Sequence, residues 1–222
     1  MRSWRPLLFL ACLVPLGGCI GGILSTSGFV HVPGFDLGSD PVRYVLDTLA
    51  KTALNLLVIT LAITPLRHLT GNPRWLQLRR MLGLFAFCYA LLHFLVYLGP
   101  FQGFDGHEIY KDLVKRPYIT IGFISLLLLV PLAVTSTDRM QRRLGRQWRV
   151  LHRLIYLIAP LVVLHYWKML KHDYRMPLRY GLIVAVLLAM RLWLRRRPAS
   201  TWKSGLPKAP ETGAGAVPWR DS

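Results

Sequence analysis

The stretch Arg79–Leu98 reads RRMLGLFAFCYALLHFLVYL. After its opening pair of arginines, Met81 to Leu98 contains no acid, lysine or arginine, and a single imidazole, His93. About 20 mostly apolar residues in a helix cross the hydrocarbon of a bilayer, and paired arginines mark the end held on the cytoplasmic side. An ionisable side chain inside such a run is costly, so by default it marks function. The segment therefore reads as a membrane span carrying a functional histidine.

Working outward, five further runs approach spanning length: Pro6–Leu24, Leu46–Leu66, Tyr118–Thr135, Val150–Leu170 and Tyr180–Leu194, the last extending back toward Pro177. Aromatic residues such as Trp75, Tyr97, Tyr118, Trp148 and Trp193 stand near their ends, where amphipathic rings prefer the interface. The expected fold is all-α, a six-span transmembrane helical bundle. We expect residues 1–45 to form the first span and an outer loop, 46–197 the functional bundle, and 198–222 a disordered tail rich in Pro, Gly, Ala and Ser.

Composition agrees. Of 222 residues 53% are hydrophobic and only 17% charged, against roughly 25% charged in soluble domains. The formal charge of +18 invites a nucleic-acid reading. That reading needs a basic face with polar surroundings, whereas here the arginines bracket apolar runs, as loops beside an anionic leaflet do. Cys12, Cys19 and Cys88 lie inside apolar runs without CxxC spacing, which excludes a disulfide framework or zinc site and leaves them as small apolar residues.

Orientation follows from the basic residues. One side collects Arg2, Arg5, Arg67, Arg74, Arg79 and Arg80, the Arg139–Arg149 cluster, and the arginines and lysines from Arg191 onward. The opposite side has fewer, and Asp36, Asp40, Asp105, Glu108, Asp112 and Asp173 dilute them. Both termini are expected in the cytoplasm. The first segment alone is ambiguous. Leu16-Gly17-Gly18-Cys19 after two arginines also fits a lipoprotein signal with Cys19 acylated.

Among the seven histidines, His31, His107 and His172 fall in outer loops and His68 at the inner end of the second span, where ordinary interfacial roles suffice. His93, His152 and His165 differ. His93 stands about 13 residues, roughly 20 Å, past Arg80, and His165 about 16 residues past Arg149. Both helices enter from the same side, so the two imidazoles reach the outer half at comparable depth. That is the arrangement of an axial ligand pair for a haem iron. His152 precedes His165 by 13 residues, a rise of about 20 Å, but on a straight helix the side chains would be roughly 140° apart; Pro160 between them is a candidate kink. No histidine stands at the matching depth of the third span, where Arg80 and Met81 are found. His152 therefore has open roles: ligand with another partner, neighbour of a flavin or quinone, or hydrogen bonder to a propionate. Arg79, Arg80, Arg149 and Arg153 are candidate propionate partners at the inner face. The residues also leave open a helix-packing role for the histidines, a proton-relaying transporter, and a stand-alone ferric or oxygen reductase.

Several motifs resemble the MsrQ (YedZ) family. They are Ile63-Thr64-Pro65-Leu66, Arg79-Arg80-Met81-Leu82-Gly83-Leu84 leading to His93, Arg116-Pro117-Tyr118-Ile119-Thr120, and Thr135-Ser136-Thr137 with Met140-Gln141-Arg142. The closest stretch runs from Leu144-Gly145-Arg146-Gln147-Trp148 through Leu151-His152 to Tyr156 and His165-Tyr166. The resemblance spans about two-thirds of the chain, from near Thr48 to the sixth span. It implies a ferric reductase-like transmembrane fold binding haem b, with His93, His152 and His165 as the haem-associated histidines. It also implies an FMN without identified residues, and a first span that is retained. The implied role is an electron-transfer subunit of the bacterial inner membrane. It would pass electrons to a periplasmic MsrP-like molybdopterin reductase of protein methionine sulfoxide. No GxGxxG phosphate loop is present, so electrons are expected from the quinone pool or a separate cytoplasmic flavin reductase. The outer loop from Gly99 to Pro117, with Lys171–Arg179 beside it, is the expected docking surface for the reductase.

Overall fold

The computed structural model describes residues 4–26, 39–72, 75–170 and 174–196. His31, His172, the start of the loop from Lys171 and the tail 198–222 lie outside the described residues. Within them the chain is helical with no strand, and six helical stretches are long and apolar enough to cross a membrane. Helix α1 is Trp4–Thr26, α2 Pro41–Thr70, α3 Trp75–Val96, α4 Gly106–Lys115, α5 Pro117–Val134, α6 Asp138–Leu144, α7 Arg146–Leu151, α8 Ile155–Met169 and α9 Arg175–Arg196.

Local chemistry sets these boundaries. Asp40 caps α2 by accepting from the Arg43 N–H at 3.0 Å, and Pro41 occupies the first turn, where its missing N–H is no loss. The other end closes on Gly71 at φ 66°, a left-handed position that glycine takes without strain. Asp105 caps α4 through the His107 and Glu108 N–H groups. Within the spans, hydroxyls return to their own helices: Thr60 donates to Leu56 O and Ser125 to Ile121 O, each bond spanning four residues. Lipid offers no water to satisfy these hydroxyls, so the helix carbonyls do so.

Helix α2 forms the axis of the bundle, packing most extensively on α3 and also meeting α1 and α9, while α5 packs on α8. Leu49, Leu61, Ile63, Ala86, Tyr89, Ile158 and Ala159 fill the interior. Outward faces carry equally apolar side chains, among them Leu127, Val186 and Leu182. Lipid tails are as apolar as leucine, so close packing and hydrogen bonds between helices hold the bundle rather than withdrawal of oil from water. Tyr89 illustrates this. Its phenol donates to Cys12 O (2.6 Å) and accepts from the Leu16 N–H (3.2 Å), bridging the ladder of α1 beside Pro15. Cys12 and Cys19 are buried against the bundle, so α1 is a packed part of it.

Three features differ from expectation. The third span ends in a π turn, Tyr97–Phe101, in which the Gln102 N–H reaches back to Tyr97 O. Gly99 is bare there because a Cβ would stand 2.9 Å from the ring of Phe104. Second, the loop between the third and fourth spans holds the amphipathic helix α4. Third, the fifth span breaks at a 3-10 turn, His152–Leu154, while α8 continues through Pro160. Such a turn advances about 120° per residue instead of 100°, so His152 and His165 are rephased at this turn and not by the proline alone.

Candidate functional site

Two cavities lie one above the other in the bundle. The outer one, about 630 Å³, lies among α2, α3, α5 and α8 with α4 over it, and receives both His93 and His165. The inner one, about 750 Å³, is lined by His152, Trp148, Arg79 and Met81 among others. Both fall in the size range of cofactor sites. The histidines are thus divided as their depths suggest, two in the cavity beneath α4 and one in the other.

Hydrogen bonds define what each imidazole can do. His93 Nδ1 lies 3.0 Å from Leu46 O, and His165 Nδ1 2.6 Å from Tyr118 O. A carbonyl has no proton to give, so both rings carry theirs on Nδ1, and the lone pair is on Nε2. His152 repeats the pattern, with Nδ1 donating to Trp148 O at 3.1 Å. Its ring stacks on Trp148 at 4.0 Å between centroids, and the Trp148 indole is itself held by Thr135 O. The buried His152 Nε2 has no hydrogen-bond partner among the described residues. A buried nitrogen left unpaired costs stability unless something binds it. An Nδ1–H held by a carbonyl, with Nε2 free, is the usual outer-shell arrangement of a metal-ligating histidine.

Glycine makes room for one of these rings. A Cβ at Gly122 would stand 2.8 Å from His165 Cε1 and Nδ1, closer than real Cβ contacts come. Only a residue without a side chain lets α5 approach the imidazole that its own Tyr118 carbonyl holds.

The arrangement fits a planar macrocycle better than a bare ion. Among the described residues no three His, Cys, Asp or Glu side chains converge as a bare-ion site needs. A haem brings four in-plane ligands of its own and asks the protein only for axial ones and an apolar slot. The outer cavity offers two imidazoles in walls of Leu54, Ala90, Phe94 and Leu126, with Arg43 and Arg116 also on its lining. Among the described residues the inner cavity is lined by one histidine, His152.

The four arginines at this end differ in placement. Arg80 donates to Asp138 and Gln141, fastening α3 to α6, and this hydrogen bond holds the Asp138 carboxyl below the usual range. Arg80 thus tethers α6 while lining the inner cavity beside Arg79. Arg149 and Arg153 are exposed. Sequence reasoning missed the Leu46 and Tyr118 carbonyls, Gly122, and the pair Asp112–Arg116. Only the last had a visible signal: an acid and a base four apart, in a stretch whose Ile109, Asp112 and Leu113 share one face. Burial opposes the charge on Arg116, but Asp112, Tyr118 and Tyr97 together more than offset this and raise its pKa.

Residues 48–163 match the family described as ferric reductase like transmembrane component, a stretch that takes in His93 and His152 and stops just short of His165. Relatives extend the likeness further. Over 198 residues the chain is 46% identical to the protein-methionine-sulfoxide reductase heme-binding subunit MsrQ of Herminiimonas arsenicoxydans, covering 86% of this chain and 87% of that one. The chain belongs to the MsrQ family. The MsrQ of Caulobacter vibrioides is 43% identical, with 87% and 89% covered, and that of Xanthomonas campestris 49%, with 78% and 81% covered. Coverage of this extent in MsrQ relatives takes in the bundle that forms both cavities.

Proposed function

We propose that this chain is the haem-binding membrane subunit of a protein-methionine-sulfoxide reductase, an electron-transfer subunit rather than the catalytic one. The observation that carries the reading is the pair His93 and His165. Each is fixed by a carbonyl in the Nδ1–H form, and each lines the same membrane-embedded cavity. Haem b, when bound, supplies a one-electron carrier. The chain's own residues supply the rest. His93 and His165 would hold the haem through Nε2, Leu46 and Tyr118 orient their rings, and the leucine and phenylalanine walls exclude water, which favours electron transfer over oxygen chemistry.

The inner cavity, with the unpaired His152 Nε2 and the indole of Trp148, is read as the entry site. It would take a second haem with a ligand other than histidine, or the FMN that the resemblance implies. Electrons enter from the quinone pool or from a cytoplasmic flavin reductase. They leave at the outer face to a periplasmic MsrP-like molybdopterin subunit docked on the loop Gly99–Pro117. This orientation, in the bacterial inner membrane with both termini cytoplasmic, rests on the distribution of arginine and lysine.

A pyridine haemochrome count on purified wild type and on His93→Ala, His152→Ala and His165→Ala tests the assignment. The outer-cavity variants should each lose haem, with loss of the bis-histidine electron paramagnetic resonance signal. Full haem content in both His93→Ala and His165→Ala would refute the ligand pair.

A further inference from the structure

Asp112 is buried to 5% exposure on α4, in a loop outside the spans. A buried carboxylate persists only when it is thoroughly paired, and Asp112 is. Oδ1 forms an ion pair with Arg116, 3.1 Å from Nε, while Oδ2 accepts from the Gln102 amide at 2.8 Å and the Tyr97 hydroxyl at 3.2 Å.

The partners are well placed. Tyr97 follows His93 by one helical turn, at the outer end of that span. Arg116 immediately precedes α5, whose Tyr118 carbonyl holds His165. Thr120 of α5 donates to Leu113 O, fastening the same two helices a second time. Through one carboxylate, the end of the span that carries His93 is joined to the start of the helix that holds His165.

Arg116 also lines the outer cavity. Asp112 pairs with its Nε, the Tyr118 side chain lies beside it, and the guanidinium is half exposed. The planar fork of a guanidinium suits bidentate pairing with a carboxylate. Arg43 is on the same lining. The porphyrin of haem b is apolar except for two propionates, and a membrane cavity must place these beside cations.

We propose that Asp112 is a positioning residue for the outer site, clamping Arg116 at the cavity so that its guanidinium, with Arg43, receives the haem propionates. This rests on the haem reading of that cavity. Arg116 balances propionate charge, and Asp112 moderates Arg116.

The two variants should therefore move the haem in opposite directions. Asp112→Asn removes a negative charge and unmasks Arg116, favouring the reduced haem. Arg116→Gln removes the positive charge and favours the oxidised form. In holoprotein purified from haem-replete cells, spectroelectrochemical titration should show the reduced-to-oxidised ratio rising roughly tenfold in the first and falling roughly tenfold in the second. For a one-electron couple each is a shift of about 59 mV. Lys111→Gln, on the exposed side of α4, is the control and should not shift. Wild-type haem with both variants at the control's potential, or shifted in the same direction, overturns the proposal while the haem reading stands. A haem-free wild type sinks that reading and the inference with it. If Asp112→Asn is haem-free, Arg116→Gln decides alone by shifting downward or not. If both are haem-free, Arg116→Lys should retain haem near the wild-type potential, and its failure to do so overturns the proposal.

Discussion

Replacing Gly122 by alanine perturbs one atom and bears on the whole outer site. The added Cβ would stand 2.8 Å from His165 Cε1 and Nδ1, about 0.6 Å inside the 3.4 Å at which ordinary contact begins. Helix α5 cannot retreat freely, because Tyr118, one turn away on the same helix, holds the ring at 2.6 Å. If the imidazole yields by the full amount, that hydrogen bond can lengthen to about 3.2 Å, the long end of the normal range. Binding constellations tolerate displacements of only about 0.5 Å. Overpacking of this kind costs about 1–3 kcal/mol, which as a loss of haem affinity is roughly 5- to 150-fold. The assay is haem per protein by pyridine haemochrome under limiting haem, together with low-temperature electron paramagnetic resonance of the oxidised form. Gly122→Ala should lose outer haem or show an altered axial signal. Gly181→Ala is the comparison: its Cβ meets Val163 Cγ1 at an ordinary 3.5 Å, so haem content should hold. A Gly122→Ala protein with full haem and an unchanged signal would mean that the ring is not pinned as described.

Other expectations follow from the same contacts. Tyr89→Phe deletes the hydroxyl bridging Cys12 O and the Leu16 N–H. It should lower stability by about 1 kcal/mol, seen as an earlier midpoint in detergent denaturation. Trp148→Phe removes the bond to Thr135 O and weakens the support behind His152. It should alter the inner site while leaving the His93–His165 signal intact, as separate spectral components would show. The Asp138 carboxyl is held below its usual range by Arg80, so the tether contributes fully above the unfolded pKa of about 4. It is lost only as pH falls through the lower folded value. Inner-site spectra should therefore be constant from pH 7 to 5 in wild type, while Asp138→Asn should differ throughout that range.

The sequence alone carried the six spans, because membrane burial requires long apolar runs whatever their neighbours, and charged residues are confined to the ends. It also carried the shared depth of His93 and His165, since depth on a helix is residue count multiplied by rise. Span ends were less legible. The third continues through a π turn to Phe101, and the sixth begins at Arg175, where turn chemistry and capping decide rather than hydropathy. The loop Gly99–Pro117 read as a connection, yet Asp105 caps a helix there whose inward face belongs to the site.

Only the tertiary structure could decide the proton positions on the imidazoles, because their partners are carbonyls of Leu46 and Tyr118, each 47 positions away in the chain. The same holds for Gly122, one small residue among many until the His165 ring is placed against it. It holds for Arg80 as well, which lines the inner cavity while bonded to Asp138 and Gln141, 58 and 61 positions away in the chain. Periodicity and composition describe each helix against lipid. Which atoms meet between helices depends on rotation and packing, and one residue type serves equally well in many rotations.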